Sequence, residues 1–359
     1  MKRILILTAG FGEGHNSAAR GVRAGLARIA PRVEVDLRDL FPETFGALNE
    51  IVRRAYLGLI NRSPKSWGYV YNWLDRIQNF DERFQRFRRL RKNLGRVLDR
   101  FQPDVIVSTF PPYPYLVQQI LGANRRCKNV AVVTDSITIN AIWYRSPADY
   151  FLVANEQSAA VVRDGGVPPE KIKVFGFPVS PRFVDFAKDR EVLRQTTPRV
   201  LYIINAGTRR APNLVRKLVE LDIQLTVTVG RNEKLGRAVE LAAGDRKIDI
   251  YGWTDEMPRL LCESDLLIGK AGGATVQETI AGRCPMIINH VVSGQEEGNA
   301  QLIVETKSGA IARSNDEVIA HVRGAFADDA KQWREWSSNI WKLSCPRASL
   351  DIAEFLLSI

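Results

Sequence analysis

Two doubly wound α/β domains, each a parallel sheet with helices on both faces, are what this chain of 359 residues predicts. Three observations carry that expectation. Short apolar runs alternate with amphipathic or turn-bounded stretches along the chain, Gly-rich turns follow apolar runs near 9–14 and 271–273, and turn formers gather at 176–181 between two such series. The length gives a soft expectation of two domains, and 45% hydrophobic residues suffice for two cores.

The first series places strands at 4–8, 33–37, 105–109, 130–134 and 151–154. Met1-Lys2-Arg3 ahead of Ile4-Leu5-Ile6-Leu7 resembles the opening of a signal peptide, but the apolar run is short and enters a Gly-rich polar loop, so it reads as the first strand. The second series places strands at 200–204, 225–229, 248–251, 266–268 and 286–288. The expected division is 1–180, a linker at 181–198, a second domain at 199–327, and C-terminal helices at 328–359 that break near Pro346. No run approaches the length of a transmembrane helix.

The stretch 41–104 interrupts the alternation. Its Tyr56, Trp67, Tyr69, Tyr71 and Trp73 lie beside Arg53, Arg54, Arg62 and Lys65, the composition of an interfacial membrane-docking surface, with a helical subdomain of buried aromatics as the competing reading. Farther on, Phe80, Phe84, Phe87, Leu94, Leu98 and Phe101 recur at helical spacing among Arg83, Arg86, Arg88, Arg89, Lys92 and Arg96, which predicts a core-facing helix with a solvated basic face. The formal charge of +11 suits an anionic partner. No nucleic-acid module matches, leaving an anionic membrane surface as the expected one. Cys127, Cys262, Cys284 and Cys345 are far apart and only His15, His290 and His321 accompany them, so reduced core thiols are expected and a metal site is not.

The residues 252–299 carry the most chemistry. The apolar run 265–269 ends in Lys270-Ala271-Gly272-Gly273-Ala274-Thr275, and a helix is expected from there to Gly282. Two glycines let the backbone approach a phosphate, and the unpaired first-turn N–H groups then face the anion with the helix dipole behind them. Glu278, one turn further on, is placed to accept hydrogen bonds from ribose hydroxyls. A solvated Glu278 after an ordinary Gly-rich turn is the alternative.

In the first loop, Ala9-Gly10-Phe11-Gly12-Glu13-Gly14-His15 precedes a helix expected from about Asn16. Gly10, Gly12 and Asp36 fit a dinucleotide-binding fingerprint, but His15 stands where the third glycine belongs. A histidine at a helix N-terminus has its charged form disfavoured by the dipole, which suits a neutral base.

With these motifs in hand, the chain resembles the monogalactosyldiacylglycerol synthase group of glycosyltransferase family 28, which includes bacterial diacylglycerol glucosyltransferases. The matching stretches run in order: 8–21, 56–72 with Pro64 and Trp67, 103–111, 134–143, 176–183, 229–235, 252–261, 270–279 and 294–299. The resemblance implies a GT-B fold with two domains facing a cleft, a UDP-sugar donor, inversion at the anomeric carbon, a lipid acceptor, and no cofactor beyond the donor. It places Gly272, Gly273, Ala274 and Thr275 at the diphosphate, Glu278 at the ribose, and Gln295 and Glu296 at the sugar hydroxyls. Trp253 and Met257 fall beside the uracil, and Gly12, Gly14, Gly207, Arg231 and Asn299 fall at further donor-binding positions. His15 and Asp135 fall at the catalytic positions.

Two departures stand out. The loop 205–210 holds one glycine, Gly207, where relatives carry a longer Gly-rich loop, and it brings Arg209 and Arg210 instead. Asn140 stands where relatives commonly place histidine, and it cannot titrate. The expected activity is transfer of a hexose to diacylglycerol at the cytoplasmic membrane surface. N-acetylglucosaminyl transfer to a polyprenyl-linked precursor, a soluble UDP-sugar epimerase, and a binding protein without catalysis remain alternatives, and the donor sugar stays open.

Overall fold

The computed structural model describes residues 1–46, 80–123, 125–137, 139–187, 197–292 and 296–359. The aromatic part of the 41–104 insertion, half of the expected linker, and Gln295 fall outside the described residues. The chain forms two units: Met1–Pro181 with Val292–Gly298 and Arg347–Ile359, and Arg182–Val291 with Asn299–Pro346.

In the first unit, β1 (Arg3–Thr8), β2 (Glu34–Asp39), β3 (Val105–Ser108), β4 (Lys128–Val132), β5 (Tyr150–Val153) and β6 (Ile172–Val174) form one sheet in the order β2-β1-β3-β4-β5-β6. All its pairings are parallel. The chain leaves β1 toward β2 and returns to β3 on the other side of β1, so the loops after β1 and β3 diverge. A parallel sheet opens its crevice at the carboxyl ends of such strands.

The helix Arg88–Phe101 buries Leu90, Leu94 and Leu98, spaced four apart, in the core formed with Leu5, Leu7, Ile106 and Leu116. Its Arg88, Arg89, Lys92, Arg96 and Arg100 are exposed. The helical run expected from Phe80 is interrupted: Phe80–Phe84 forms one short helix, and Phe87, at the break, is 39% exposed instead of facing the core.

The C-terminal helix Ala348–Ser358 packs on the helix Glu13–Ile29 at Gly25, and Gly21 of the same helix lies against the chain at Pro178. A Cβ on Gly25 would lie 2.2 Å from the Ser349 carbonyl oxygen, and one on Gly21 would lie 1.8 Å from that of Pro178. Lys2 Nζ donates to the carbonyl of Leu357 at 2.8 Å and to that of Ile359, and Ser349 Oγ donates to Val179. Residues 328–346, in contrast, belong to the second unit: the helical stretch Asn315–Leu343, broken at 327–330, inserts Trp333, whose indole N–H reaches the Asp265 carbonyl at 2.7 Å. The return to the first unit therefore begins at Arg347, later than the 328 expected from sequence.

In the second unit, β7 (Arg199–Ile203), β8 (Gln224–Gly230), β9 (Asp249–Gly252), β10 (Leu266–Lys270), β11 (Met286–His290) and β12 (Gly309–Ile311) form a parallel sheet in the order β12-β11-β10-β7-β8-β9. Here the switch point lies between β7 and β10. Among the described residues no helix is long and apolar enough to cross a membrane.

The contact at Gly25 leaves no room for a methyl group, since the obstructing atom is backbone. Gly25→Ala should cost about 1–3 kcal/mol of stability through forced separation of the two helices, read as a lowered urea midpoint. An unchanged midpoint would contradict this packing.

Candidate functional site

At the switch point of the first unit, Gly12 caps the helix Glu13–Ile29 in an extended conformation and contributes no side-chain cap. His15 follows in the first turn. Its Nδ1 lies 2.7 Å from the Thr109 carbonyl, just beyond β3, and 2.8 Å from Thr134 Oγ1, just beyond β4. A carbonyl oxygen only accepts, so Nδ1 carries the proton and Nε2 presents its lone pair. The imidazole meets Phe110 edge-on at 5.2 Å and Trp143 at 6.3 Å between ring centroids. Removal from water disfavours the imidazolium more than the Thr109 bond favours it, and the pKa of His15 falls to about 4.

Asp135 lies beyond the same strand end as Thr134. Its Oδ2 accepts the Trp143 indole N–H at 3.0 Å, and the carboxylate also accepts the Asn140 backbone N–H. Burial raises its pKa to about 6 despite both bonds. Trp143 is fully buried and touches both candidates, the imidazole by its ring and the carboxylate by its N–H.

At the switch point of the second unit, the loop after β10 turns through Ala271 and Gly272 into the helix Gly273–Ala281. Ala271 is fixed from both sides, its N–H donating to the His290 carbonyl at 3.0 Å and its carbonyl accepting Asn299 Nδ2 at 3.1 Å. Gly272 is the N-cap and has no side chain to satisfy the first turn, and Gly273, Ala274 and Thr275 are half-buried while Val276 is fully buried. Those three amides have no acceptor within the helix. Opposite them in the sheet order, the loop after β7 turns at Gly207, whose φ of 64° is left-handed and suits glycine. Farther along the same edge, after β8 and β9, the Arg231 guanidinium lies 5.4 Å from the ring centroid of Trp253, which is 68% exposed.

Comparison with known proteins now bears on this geometry. Residues 15–179 match the monogalactosyldiacylglycerol (MGDG) synthase family, and residues 203–331 match the glycosyltransferase family 28 C-terminal domain. The chain belongs to glycosyltransferase family 28. Within it, the chain is 26% identical over 367 residues to a processive diacylglycerol beta-glucosyltransferase of Bacillus subtilis (strain 168), covering 99% of this chain and 95% of the relative. It is 28% identical over 378 residues to a chloroplastic monogalactosyldiacylglycerol synthase of Spinacia oleracea, covering 99% of this chain and 72% of that one. In structure it is similar to MurG of Acinetobacter baumannii, with a TM-score of 0.66 at 14% identity over the whole of both chains. The fold of this glycosyltransferase is GT-B.

The expected donor-side residues of the glycosyltransferase fall along one sheet edge. Gly207, Arg231, Trp253, Gly272, Gly273, Ala274 and Thr275 all follow strand ends of the second unit, and Met257 opens the helix Met257–Glu263 beyond β9. Glu278 is half-buried one turn into its helix. Asn299 supports the Ala271 turn through its side chain. Glu296 is buried, accepts the Val292 N–H at 3.0 Å, and belongs to a segment of the first unit. Gly14 faces open space, with nothing within 4 Å of a built Cβ.

The dinucleotide fingerprint of the first loop is displaced by the structure. Asp36 pairs with Arg38 at 2.9 Å on β2, and the carboxylate that reaches the loop is that of Asp39, which accepts Gly10 N–H at 2.8 Å and Phe41 N–H at 3.1 Å. Both its oxygens serve the chain, where a ribose would need them. Sequence reading also passed over Thr109, Thr134 and Trp143. Their signal was present: each threonine closes an expected strand, 105–109 or 130–134, at the end where a parallel strand delivers its loop.

The tautomer and pKa of His15 are directly observable. With three histidines in the chain, nitrogen-15 NMR compared with His15→Gln assigns its signals. The imidazole should stay neutral with Nδ1 protonated down to about pH 4. Since its folded pKa lies below the unfolded value near 6.5, this group's contribution to stability falls as pH drops below that unfolded value. A titration midpoint near 6.5 would contradict this half-buried, Thr109-bonded geometry.

Proposed function

We propose that this glycosyltransferase moves a hexose, with inversion, from a UDP-sugar to the free hydroxyl of diacylglycerol at the cytoplasmic surface of a membrane. The observation that carries the reading is the glycine-started helix Gly273–Ala281 at the β7/β10 switch point, whose first-turn amides lack acceptors within the helix. A diphosphate supplies the missing acceptors. Trp253 and Arg231 offer a flat face beside it for the base, Glu278 accepts the ribose hydroxyls, and Gln295 and Glu296 read the sugar.

In the proposed reaction the acceptor oxygen attacks the anomeric carbon and gives its proton to His15 Nε2. The bond to UDP breaks on the opposite face, and its electrons pass to the diphosphate, where the amides near Gly273 and Thr275 stabilise the developing charge. A single displacement inverts the anomeric carbon. His15 suits the base because it is neutral above about pH 4 with Nε2 unprotonated. Asp135, held by Trp143 and by the Asn140 amide, supplies negative charge near the imidazolium that forms. The exposed arginines of the helix Arg88–Phe101, with Phe87 beside them, support docking on an anionic bilayer.

The test is transfer from labelled UDP-glucose, UDP-galactose and UDP-N-acetylglucosamine to diacylglycerol in vesicles with and without anionic lipid. A glycosylated diacylglycerol formed faster on anionic vesicles is expected, and transfer only to a polyprenyl-linked acceptor would contradict the reading. His15→Ala should lower kcat by about 10²- to 10⁴-fold with UDP affinity unchanged. Glu278→Ala should weaken UDP about tenfold or more through loss of a charged acceptor; unchanged UDP affinity would remove the ribose assignment.

A further inference from the structure

Asn140 is 5% exposed, and its side chain is only half used. Its Oδ1 accepts the Ile142 backbone N–H at 3.0 Å, capping the short helix Ala141–Tyr144. Because a backbone N–H can only donate, this bond fixes the orientation of the amide: oxygen toward the helix, nitrogen away from it. The nitrogen, Nδ2, is buried and has no hydrogen-bond partner among the described residues. A buried donor left unpaired costs about 1–3 kcal/mol, so a chain that keeps one beside reactive groups has a use for it. The same residue's backbone N–H donates to Asp135, whose carboxylate also holds Trp143, the ring that packs on His15. The unsatisfied N–H₂ is therefore one residue's span from the carboxylate of the catalytic candidate.

We propose that Asn140 Nδ2 is a specificity-determining donor that binds an uncharged oxygen of the acceptor headgroup, an ester carbonyl or a second hydroxyl, next to the hydroxyl that is glycosylated. This rests on the reading of His15 and Asp135 as the acceptor side of the transferase. The charge balance selects the headgroup. Beside Asn140 stand the Asp135 carboxylate and the Trp143 indole it holds, while Arg145, which ends the short helix, is exposed. A phosphate-bearing headgroup would meet the Asp135 charge, to which no cation among the described residues is bonded. A neutral glycerol ester meets a donor that has no other partner.

Two substitutions separate the cap from the donor. Serine is as good an N-cap as asparagine, so Asn140→Ser keeps the bond to Ile142 and removes the N–H₂, whereas Asn140→Ala removes both. Binding of dioctanoylglycerol and of its phosphorylated analogue is measured by calorimetry in detergent micelles, beside thermal unfolding and UDP binding. The expected result is that Asn140→Ser keeps or raises the wild-type unfolding temperature and keeps the affinity for UDP but binds dioctanoylglycerol about tenfold more weakly, and that the wild type prefers dioctanoylglycerol to the phosphorylated form. Asn140→Ser binding dioctanoylglycerol like the wild type would overturn the inference, as would a wild type that binds neither ligand or prefers the phosphorylated one. Dioctanoylglycerol binding that depends on Asn140, without any glycosyl transfer, would instead overturn the proposed reaction and leave the headgroup inference standing.

Discussion

A helix that begins on consecutive glycines leaves its first amides without acceptors, and the surrounding chain must hold them open or fill them. In the second unit they have no acceptor among the described residues. Ala271 is locked by the His290 and Asn299 bonds, Val276 is sealed into the core, and between these fixed points Gly273 to Thr275 remain half-buried with no side chain from the N-cap. The order of the strands puts this turn beside the one at Gly207, so two loops diverge where one would ordinarily cover the sheet edge. Gly207, Arg231 and Trp253 follow strand ends of that same sheet.

The first unit uses the same topology for different chemistry. Its switch point also lies between two diverging loops, but the helix there delivers an imidazole whose Nδ1 is tied to the far side of the crevice by Thr109 and Thr134. The bond fixes both the ring and its tautomer. Around it, burial moves the two titratable groups in opposite directions, His15 down to about 4 and Asp135 up to about 6. Each shift favours the neutral form, so near neutral pH the site holds a neutral base and a carboxylate only modestly above its own midpoint. A group poised this close to the working pH is typical of proton-transfer sites.

Much of this was readable in the residues, and the failures have physical causes. The interior strands are marked by unbroken apolar runs such as 4–7 and 266–268, and the structure keeps them within two residues of the expected bounds. β6 and β12 escaped notice because each has only three residues at a sheet edge, too few for a pattern. The helix near Phe80 was expected to be continuous because aromatic spacing persisted across Phe87, yet spacing does not reveal that the turn there opens to solvent. Within the sites, motif residues such as His15 and Gly272 stand out by type, whereas Thr109, Thr134 and Trp143 become visible only once the sheet order brings the ends of β1, β3 and β4 together. Asp39 was masked by Asp36, because the strand runs to Asp39 and moves the loop-facing carboxylate to its end.

The claim that the glycine-started turn of the second unit grips a diphosphate is tested most directly by titration calorimetry of the whole protein with UDP, UMP and uridine. Saturable binding of UDP, markedly weaker binding of UMP and none of uridine is the predicted series, because affinity should follow the phosphate groups that the free amides receive. Equal affinity for all three, or no heat on adding UDP, would contradict the account.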